Sequence, residues 1–220
     1  MYRIAKKVVA YLVTTSHLGL EFNKFTEEEW LLSVFTDSSF ADNSDDKYQS
    51  TAGALFLLNG NLFHHKSKKM KWVATSSSEA EYLACFYAAR EAMYFAYLVE
   101  EIYDKNVFPI QIMTDNMAVV NVVNKEAASV MTRHMATKFY ALQDWISEGI
   151  IEVLHVSSKE NLADTLTQDV GNYDAFKKEF RFVQEKEEKD VGQRKAGREM
   201  IEAEEVDGHL LTQSKKQKSS

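Results

Sequence analysis

The chain holds one cysteine, one proline and eight glycines in 220 residues, and no long hydrophobic run. Cys85 by itself cannot close an internal disulfide, so a reducing intracellular compartment is expected. No apolar stretch reaches the ~18–20 residues of a membrane span, and no membrane partner is expected. The start, MYRIAKKVVAYLV, is basic, but lysines interrupt it and no small-residue cleavage site follows, so no signal peptide is expected. Pro109 is the sole proline, which leaves residues 77–103 without a helix breaker. Excess positive charge is lacking too. The net charge is −7, and residues 181–220 carry nine basic and nine acidic residues, so the imbalance lies in residues 1–180. That balance counts against tight, salt-driven nucleic-acid binding, although divalent metal in a carboxylate cluster would neutralise part of it.

What is present is organised around LLSVFTDSSFA, residues 31–41. An apolar run of strand type (Leu31, Leu32, Val34, Phe35) ends on Asp37, with small polar residues after it. A buried strand that stops on a carboxylate places it at a sheet end, where open α/β folds bind ligands. Residues 4–15 have helical spacing, and LGLEF (18–22) reads as a short strand. After a polar turn segment at 41–50, TAGALFLL and NLFHHKS read as strands joined by the hairpin signal Asn59-Gly60. The hydroxyl run Thr75 to Ser78 followed by Glu79-Ala80-Glu81 reads as the start of a long, largely buried helix to about Tyr103. FPIQIMTD (108–115) is a fourth strand that ends on Asp115. Two helices follow, the second closed by Gly149, then the strand IIEVLHV (150–156) and a last helix over SSKENLADTLTQDV. Residues 183–220 are charged and poor in apolar residues, which predicts a disordered tail with a helix at most in 185–205. The order β-β-β-α-β-α-α-β-α predicts an α/β domain with a mixed sheet.

Four carboxylates stand where they could converge: Asp37, Glu81, Asp115 and Asp164. Each has an ordinary explanation taken singly. Asp37 and Asp115 could be acidic turns at strand ends, Glu81 a first-turn acid favouring the helix dipole, and Asp164 a solvated helix position. Glu79 competes with Glu81, but the two lie about 200° apart around a helix, so only one can face the site. Lys68, Lys69 and Lys71, with the hydroxyls of Thr75, Ser76 and Ser77, could hold phosphates at a helix start or form a solvated loop. His64 and His65 have no third ligand at zinc spacing. Trp72 and Trp145 read as packing residues, and Cys85 as a small core residue.

The stretches TDSSFAD, STAGALFLLNG, KSKKMKWVATSSSEAEYLA, MTDNMAVV, TRHMATKFY and NLADTLTQ together resemble the ribonuclease H domain of copia-type LTR-retrotransposon Pol polyproteins. They stand in the family's order over residues 31–170. The resemblance implies a ribonuclease H-like fold, a five-stranded mixed sheet flanked by helices. It implies hydrolysis of the RNA strand of RNA–DNA hybrids during reverse transcription, with Asp37, Glu81, Asp115 and Asp164 as catalytic and metal-binding residues. Arg133, His134 and Lys138 match basic positions of the family and could touch the hybrid or be surface residues. Three departures stand out. Asp37-Ser38-Ser39 lacks the second acid of the family's frequent Asp-Ala-Asp, Val156 is followed by Ser157 in place of proline, and residues 157–163 contain no histidine.

Phosphodiester hydrolysis by such a site needs an activated water and a stabilised leaving oxygen, which two divalent ions about 3.5–4 Å apart can supply. Mg²⁺ suits Asp/Glu ligands, with Mn²⁺ an alternative. The domain expectation is a connecting segment after a reverse transcriptase at 1–29, a ribonuclease H-like domain at 30–180 and a charged tail at 181–220. The expected partners are RNA–DNA hybrid and the reverse transcriptase domain of the same polyprotein, in the cytoplasm within a virus-like particle if the parent element is active. The competing reading is a domesticated or decayed fragment that binds nucleic acid or a partner without cutting. A ribonuclease H-fold integrase fits less well, because its acids differ in order and spacing from the SSSEAEY helix.

Overall fold

The computed structural model describes residues 2–14, 16, 18–24, 30–40, 48–71, 73–124, 133–167 and 182–184. It divides into two compact units, residues 20–181 and residues 1–19 with 182–220. In the smaller unit, helix α1 (Tyr2–Thr14) carries exposed Val8, Val9, Leu12 and Val13. Strand β1 (Leu18–Leu20) pairs there with a strand at Phe182–Gln184, the last described residues of the chain. The helix considered for 185–205 lies outside the described residues.

The larger unit is built on a five-stranded sheet. Its strands are β2 (Leu32–Ser39), β3 (Thr51–Leu58), β4 (Asn61–Lys69), β5 (Ile110–Thr114) and β6 (Ile151–His155), in the spatial order β4-β3-β2-β5-β6. β2, β3 and β4 form an antiparallel meander, while β5 joins β2 and β6 joins β5 in parallel. The helical crossovers dictate the parallel half and the hairpin the antiparallel half. Asn59 and Gly60 both have positive φ, 49° and 75°, the geometry of a two-residue hairpin turn. The Asn59 side chain also accepts a hydrogen bond from the Leu31 amide at 2.7 Å and so fixes the entry to β2.

Central strand β2 is buried on both faces, as its unbroken apolar start requires. Helix α2 (Ser77–Tyr103) lays Ala80, Ala84, Ala88, Ala92 and Ala96 against the sheet. This i, i+4 row of alanines lets the helix approach closely and explains why it is buried around so much of its girth. Helices α3 (Met117–Val123) and α4 (Arg133–Ser147) complete the layer through Val119, Val123, Phe139 and Leu142. This is the five-stranded mixed sheet flanked by helices that the motifs imply.

Two boundaries differ from the sequence reading. β2 runs through Asp37 to Ser39, because Thr51, Ala52 and Gly53 offer it pairing partners. The last helix is a single 3₁₀ turn, Leu162–Leu166. Asn161 caps it, and no continuing α-helix forms over the described residues to Thr167.

Candidate active site

The parallel pairing of β2 with β5 sets the site. Ser33, Val34 and Phe35 stand opposite Gln111, Ile112 and Met113. Two residues further on, each strand reaches an aspartate, so Asp37 and Asp115 emerge in the same register at neighbouring strand ends. Adjacent strands lie about 4.8 Å apart, which brings the two carboxyls within reach of one ion. α2 delivers the third. Asp37, Glu81 and Asp115 each offer a carboxylate oxygen within 4.8 Å of the other two.

Glu81 is separated from its rival by the helix cap. Ser76 is the N-cap and accepts from the Glu79 amide at 3.1 Å. The Glu79 carboxylate folds back on Thr75, accepting from its amide at 2.7 Å and from its hydroxyl. Glu79 is thus held in a capping arrangement, while Glu81 turns to the sheet end. Its Oε1 accepts from the Ser38 amide at 3.2 Å. Its Oε2 is buried with no hydrogen-bond partner among the described residues, and so is the Ser38 hydroxyl.

Burial is the main reason that the Glu81 carboxyl is pushed up to about 8; the negative charges of Asp37 and Asp115 add to it, and the Ser38 hydrogen bond opposes it. Asp164, on the 3₁₀ turn and half-buried, is raised to about 6 by burial and then by the charges of Asp37 and Asp115. It is close enough to feel the cluster but is not among the three residues whose oxygens lie within 4.8 Å. A buried, unpartnered carboxylate oxygen among raised carboxyls describes a site short of positive charge. An all-oxygen, hard donor set of this kind fits a divalent cation such as Mg²⁺ or Mn²⁺.

Residues with no role in the sequence reading hold the acids in place. Thr167 donates its hydroxyl to Asp37 Oδ2. Asn161 is fully buried, donates to the Thr36 carbonyl at 3.1 Å and accepts from the Ala163 amide at 3.2 Å. It therefore ties the turn bearing Asp164 to the strand bearing Asp37. Gly53, opposite Asp37, leaves room for that turn: a Cβ there would lie 2.8 Å from Thr167 Cγ2 and 2.9 Å from Leu166 Cβ. The sequence did carry a signal for Asn161, which opens NLADTLTQ at a helix N-cap position. Gly53 and Thr167 gave none, because their closeness comes from tertiary packing.

The basic candidates are more dispersed. Lys68 and Lys69 lie on β4, an edge strand. The Thr75 and Ser76 hydroxyls are engaged in the α2 cap, and Ser77 is exposed at its first turn. Lys138 is half-buried on α4, where its carbonyl accepts from the Tyr82 hydroxyl at 3.3 Å. Arg133 and His134 open α4, and their side chains lie outside the described residues, as does Trp72. Trp145 stacks on Phe86 with centroids 5.5 Å apart, a packing role. Cys85 is fully buried with its thiol pushed up to about 12, chiefly by burial, which leaves it unreactive.

The sheet and the acidic cluster at its carboxyl ends define a ribonuclease H-like domain. No family model matches the chain. Over 163 residues, 74% of its length, the chain is 29% identical to the Retrovirus-related Pol polyprotein from transposon RE1 of Arabidopsis thaliana. Over 147 residues, 66% of its length, it is 29% identical to the Transposon Ty1-JR1 Gag-Pol polyprotein of Saccharomyces cerevisiae. The chain spans about a tenth of these curated relatives, 11% of the first and 8% of the second. Among solved structures it is similar to LC11-RNase H1 in complex with RNA/DNA hybrid, at 17% identity and TM-score 0.47, over 65% of this chain and 98% of that one. Prototype Foamy Virus Protease-Reverse Transcriptase is similar at 16% identity and TM-score 0.47, over 69% of this chain and 22% of that one. The chain is thus similar in sequence to retrotransposon Pol polyproteins, and its five-stranded mixed sheet has the ribonuclease H-like order. Among the described residues, no helix is long and apolar enough to cross a membrane.

Proposed function

We propose that the chain is a metal-dependent endoribonuclease that hydrolyses the RNA strand of RNA–DNA hybrids during retrotransposon reverse transcription. The convergence of Asp37, Glu81 and Asp115 from two strands and a helix carries this reading. Asp37, Asp115 and Glu81 would hold two Mg²⁺ or Mn²⁺ ions, with Asp164 completing the set. Bound there, the ions would activate the attacking water and stabilise the leaving 3′ oxygen. Thr167 and the Ser38 amide keep Asp37 and Glu81 oriented before substrate arrives. Without metal the Asp164 carboxyl is raised to about 6 by burial and by the charges of Asp37 and Asp115, and cations held beside it would draw it down and keep it ionised.

The similarity to Pol polyproteins supports hybrid as the substrate and a reverse transcriptase as the covalent neighbour of the domain. Incubating the full chain with a hybrid labelled in its RNA strand tests the reading. Mg²⁺ should give internal cuts with 3′-hydroxyl and 5′-phosphate ends, EDTA should stop them, and the DNA strand should stay whole. An uncut hybrid, or cutting indifferent to EDTA, would refute it.

A further inference from the structure

Side chains of β2 alternate between the two faces of the sheet. Leu32 and Val34 pack in the core with the alanine row of α2, as do Leu58 and Phe56, their partners on β3. Thr36 and Ser38 continue that face, so Ser38 lies on the side of the sheet from which α2 delivers Glu81. Contact between the two is half made: the Ser38 amide donates to Glu81 Oε1 at 3.2 Å. The other half is missing on both sides. The Ser38 hydroxyl oxygen is buried with no hydrogen-bond partner among the described residues, and so is Glu81 Oε2. The hydroxyl is near enough to favour the charged carboxylate, yet the two side chains make no hydrogen bond.

A buried hydroxyl without a partner costs stability that alanine would spare. The Thr36 hydroxyl is in the same condition, but threonine is a β-branched strand former and serine is not. The resemblance gives Ser38 no role either. Asp37-Ser38-Ser39 differs from Asp-Ala-Asp at both later positions, and the Ser38 hydroxyl stands where that pattern has a methyl group. A serine hydroxyl has one hydrogen to donate, and an ionised carboxylate has about four lone-pair sites on its two oxygens. Amide and hydroxyl of Ser38 can therefore both hold Glu81 and still leave it room for a cation.

We propose that Ser38 is the positioning residue of Glu81 as a metal ligand. When a divalent cation holds Glu81 in its ionised form, the Ser38 hydroxyl turns to donate to that carboxylate. Amide and hydroxyl together then fix the side of the carboxylate that Glu81 offers the ion. The turn is a rotation of the Ser38 side chain, and the hydroxyl gives up no hydrogen bond among the described residues to make it. Ser38 touches neither ion nor substrate and acts through Glu81, as groups behind metal ligands do when they orient them. The proposal rests on the reading of the converging carboxylates as a divalent-metal site.

The test is Mn²⁺ binding by the full chain without nucleic acid, read from the EPR signal of the free ion, for the parent, Ser38→Ala and Ser38→Thr. Ser38→Ala keeps the amide and removes the hydroxyl. It should melt in EDTA no lower than the parent and bind Mn²⁺ about tenfold more weakly. Ser38→Thr keeps the hydroxyl and should bind with close to parental affinity. In cleavage of hybrid, the half-saturating Mg²⁺ concentration should rise in Ser38→Ala by the same factor, while the rate at saturating Mg²⁺ falls far less. Parental Mn²⁺ affinity in Ser38→Ala overturns the proposal and leaves the carboxylate site standing. A Ser38→Ala protein that melts well below the parent in EDTA also overturns it, since the hydroxyl would then serve the fold. Equal weakening in Ser38→Ala and Ser38→Thr at matched melts overturns it as well, because the hydroxyl would not be the cause. No Mn²⁺ binding by the parent overturns both the proposal and the metal site.

Discussion

Glu81 holds the least comfortable charge in the site: a buried carboxyl beside Asp37 and Asp115, with one oxygen unpartnered. Its carboxyl rises from 4.5 to about 8, so between those values the folded chain binds a proton that the unfolded chain has released. Stability of the metal-free protein must therefore fall as pH rises from about 4.5 to about 8 and level off above. Glu81→Gln mimics the protonated form. In EDTA it should raise Tm at pH 8 by about 2–4 °C for each kcal/mol of relieved charge burial and repulsion, and change it little below pH 4.5. Millimolar Mg²⁺ should narrow the gap by stabilising the parent alone. A Glu81→Gln protein that melts below the parent at pH 8 in EDTA would show that the buried Glu81 charge does not destabilise the fold. The three acids that the structure brings together, Asp37, Glu81 and Asp115, each stand in a motif of the sequence, and the choice of Glu81 over Glu79 follows the motif. The physical reason for that choice, the fold-back of Glu79 onto Thr75, emerges only when the cap is built.

At the scale of elements, the site depends on one short turn pressed against two strands. Asn161 is the fastener, and Asn161→Ala leaves the buried Thr36 carbonyl without that donor. Removing a buried partner costs about 1–3 kcal/mol, so thermal or urea unfolding should show a loss of that size. Cleavage should fall as Asp164 drifts, and Asn161→Asp, which keeps the cap acceptor, should not restore the bond to Thr36. Gly53→Ala would drive a Cβ into the turn, 3.1 Å from the Ala163 carbonyl oxygen. Overpacking of this kind costs about 1–3 kcal/mol. A Gly53→Ala protein of parental stability and activity would show that the turn yields freely. The sheet itself could be read from the sequence, because Asn59-Gly60 and the apolar runs are local signals. The length of β2 could not: Thr36 to Ser39 lack an apolar pattern, and their strand state comes from pairing with Thr51 to Ala54. The 3₁₀ form of Leu162–Leu166 is likewise not a local signal, since a capped run of this kind reads equally as the start of an α-helix.

At the scale of the molecule, charge and covalent context govern how substrate is held. The net charge of −7 opposes a polyanion, so the isolated chain should bind hybrid weakly and lose affinity steeply with salt. Four phosphate contacts would lose about 10²-fold between 50 and 200 mM salt. Appending a reverse transcriptase domain should raise apparent affinity far more than the single-turnover rate, because tethering acts through effective concentration. Tight, salt-insensitive binding by the chain alone would show that contacts other than the named cations hold the hybrid. The central claim is that the three converging carboxylates hold divalent metal for cleavage of the RNA strand. Asp37→Asn addresses it most directly, since asparagine keeps the volume and an oxygen for the Thr167 hydroxyl while removing the charge. The measurement is single-turnover cleavage of labelled hybrid in Mg²⁺ by parent and Asp37→Asn proteins with matched thermal melts. The account predicts cleavage by the parent and only background hydrolysis by the variant; substantial Mg²⁺-dependent cleavage by Asp37→Asn would contradict it.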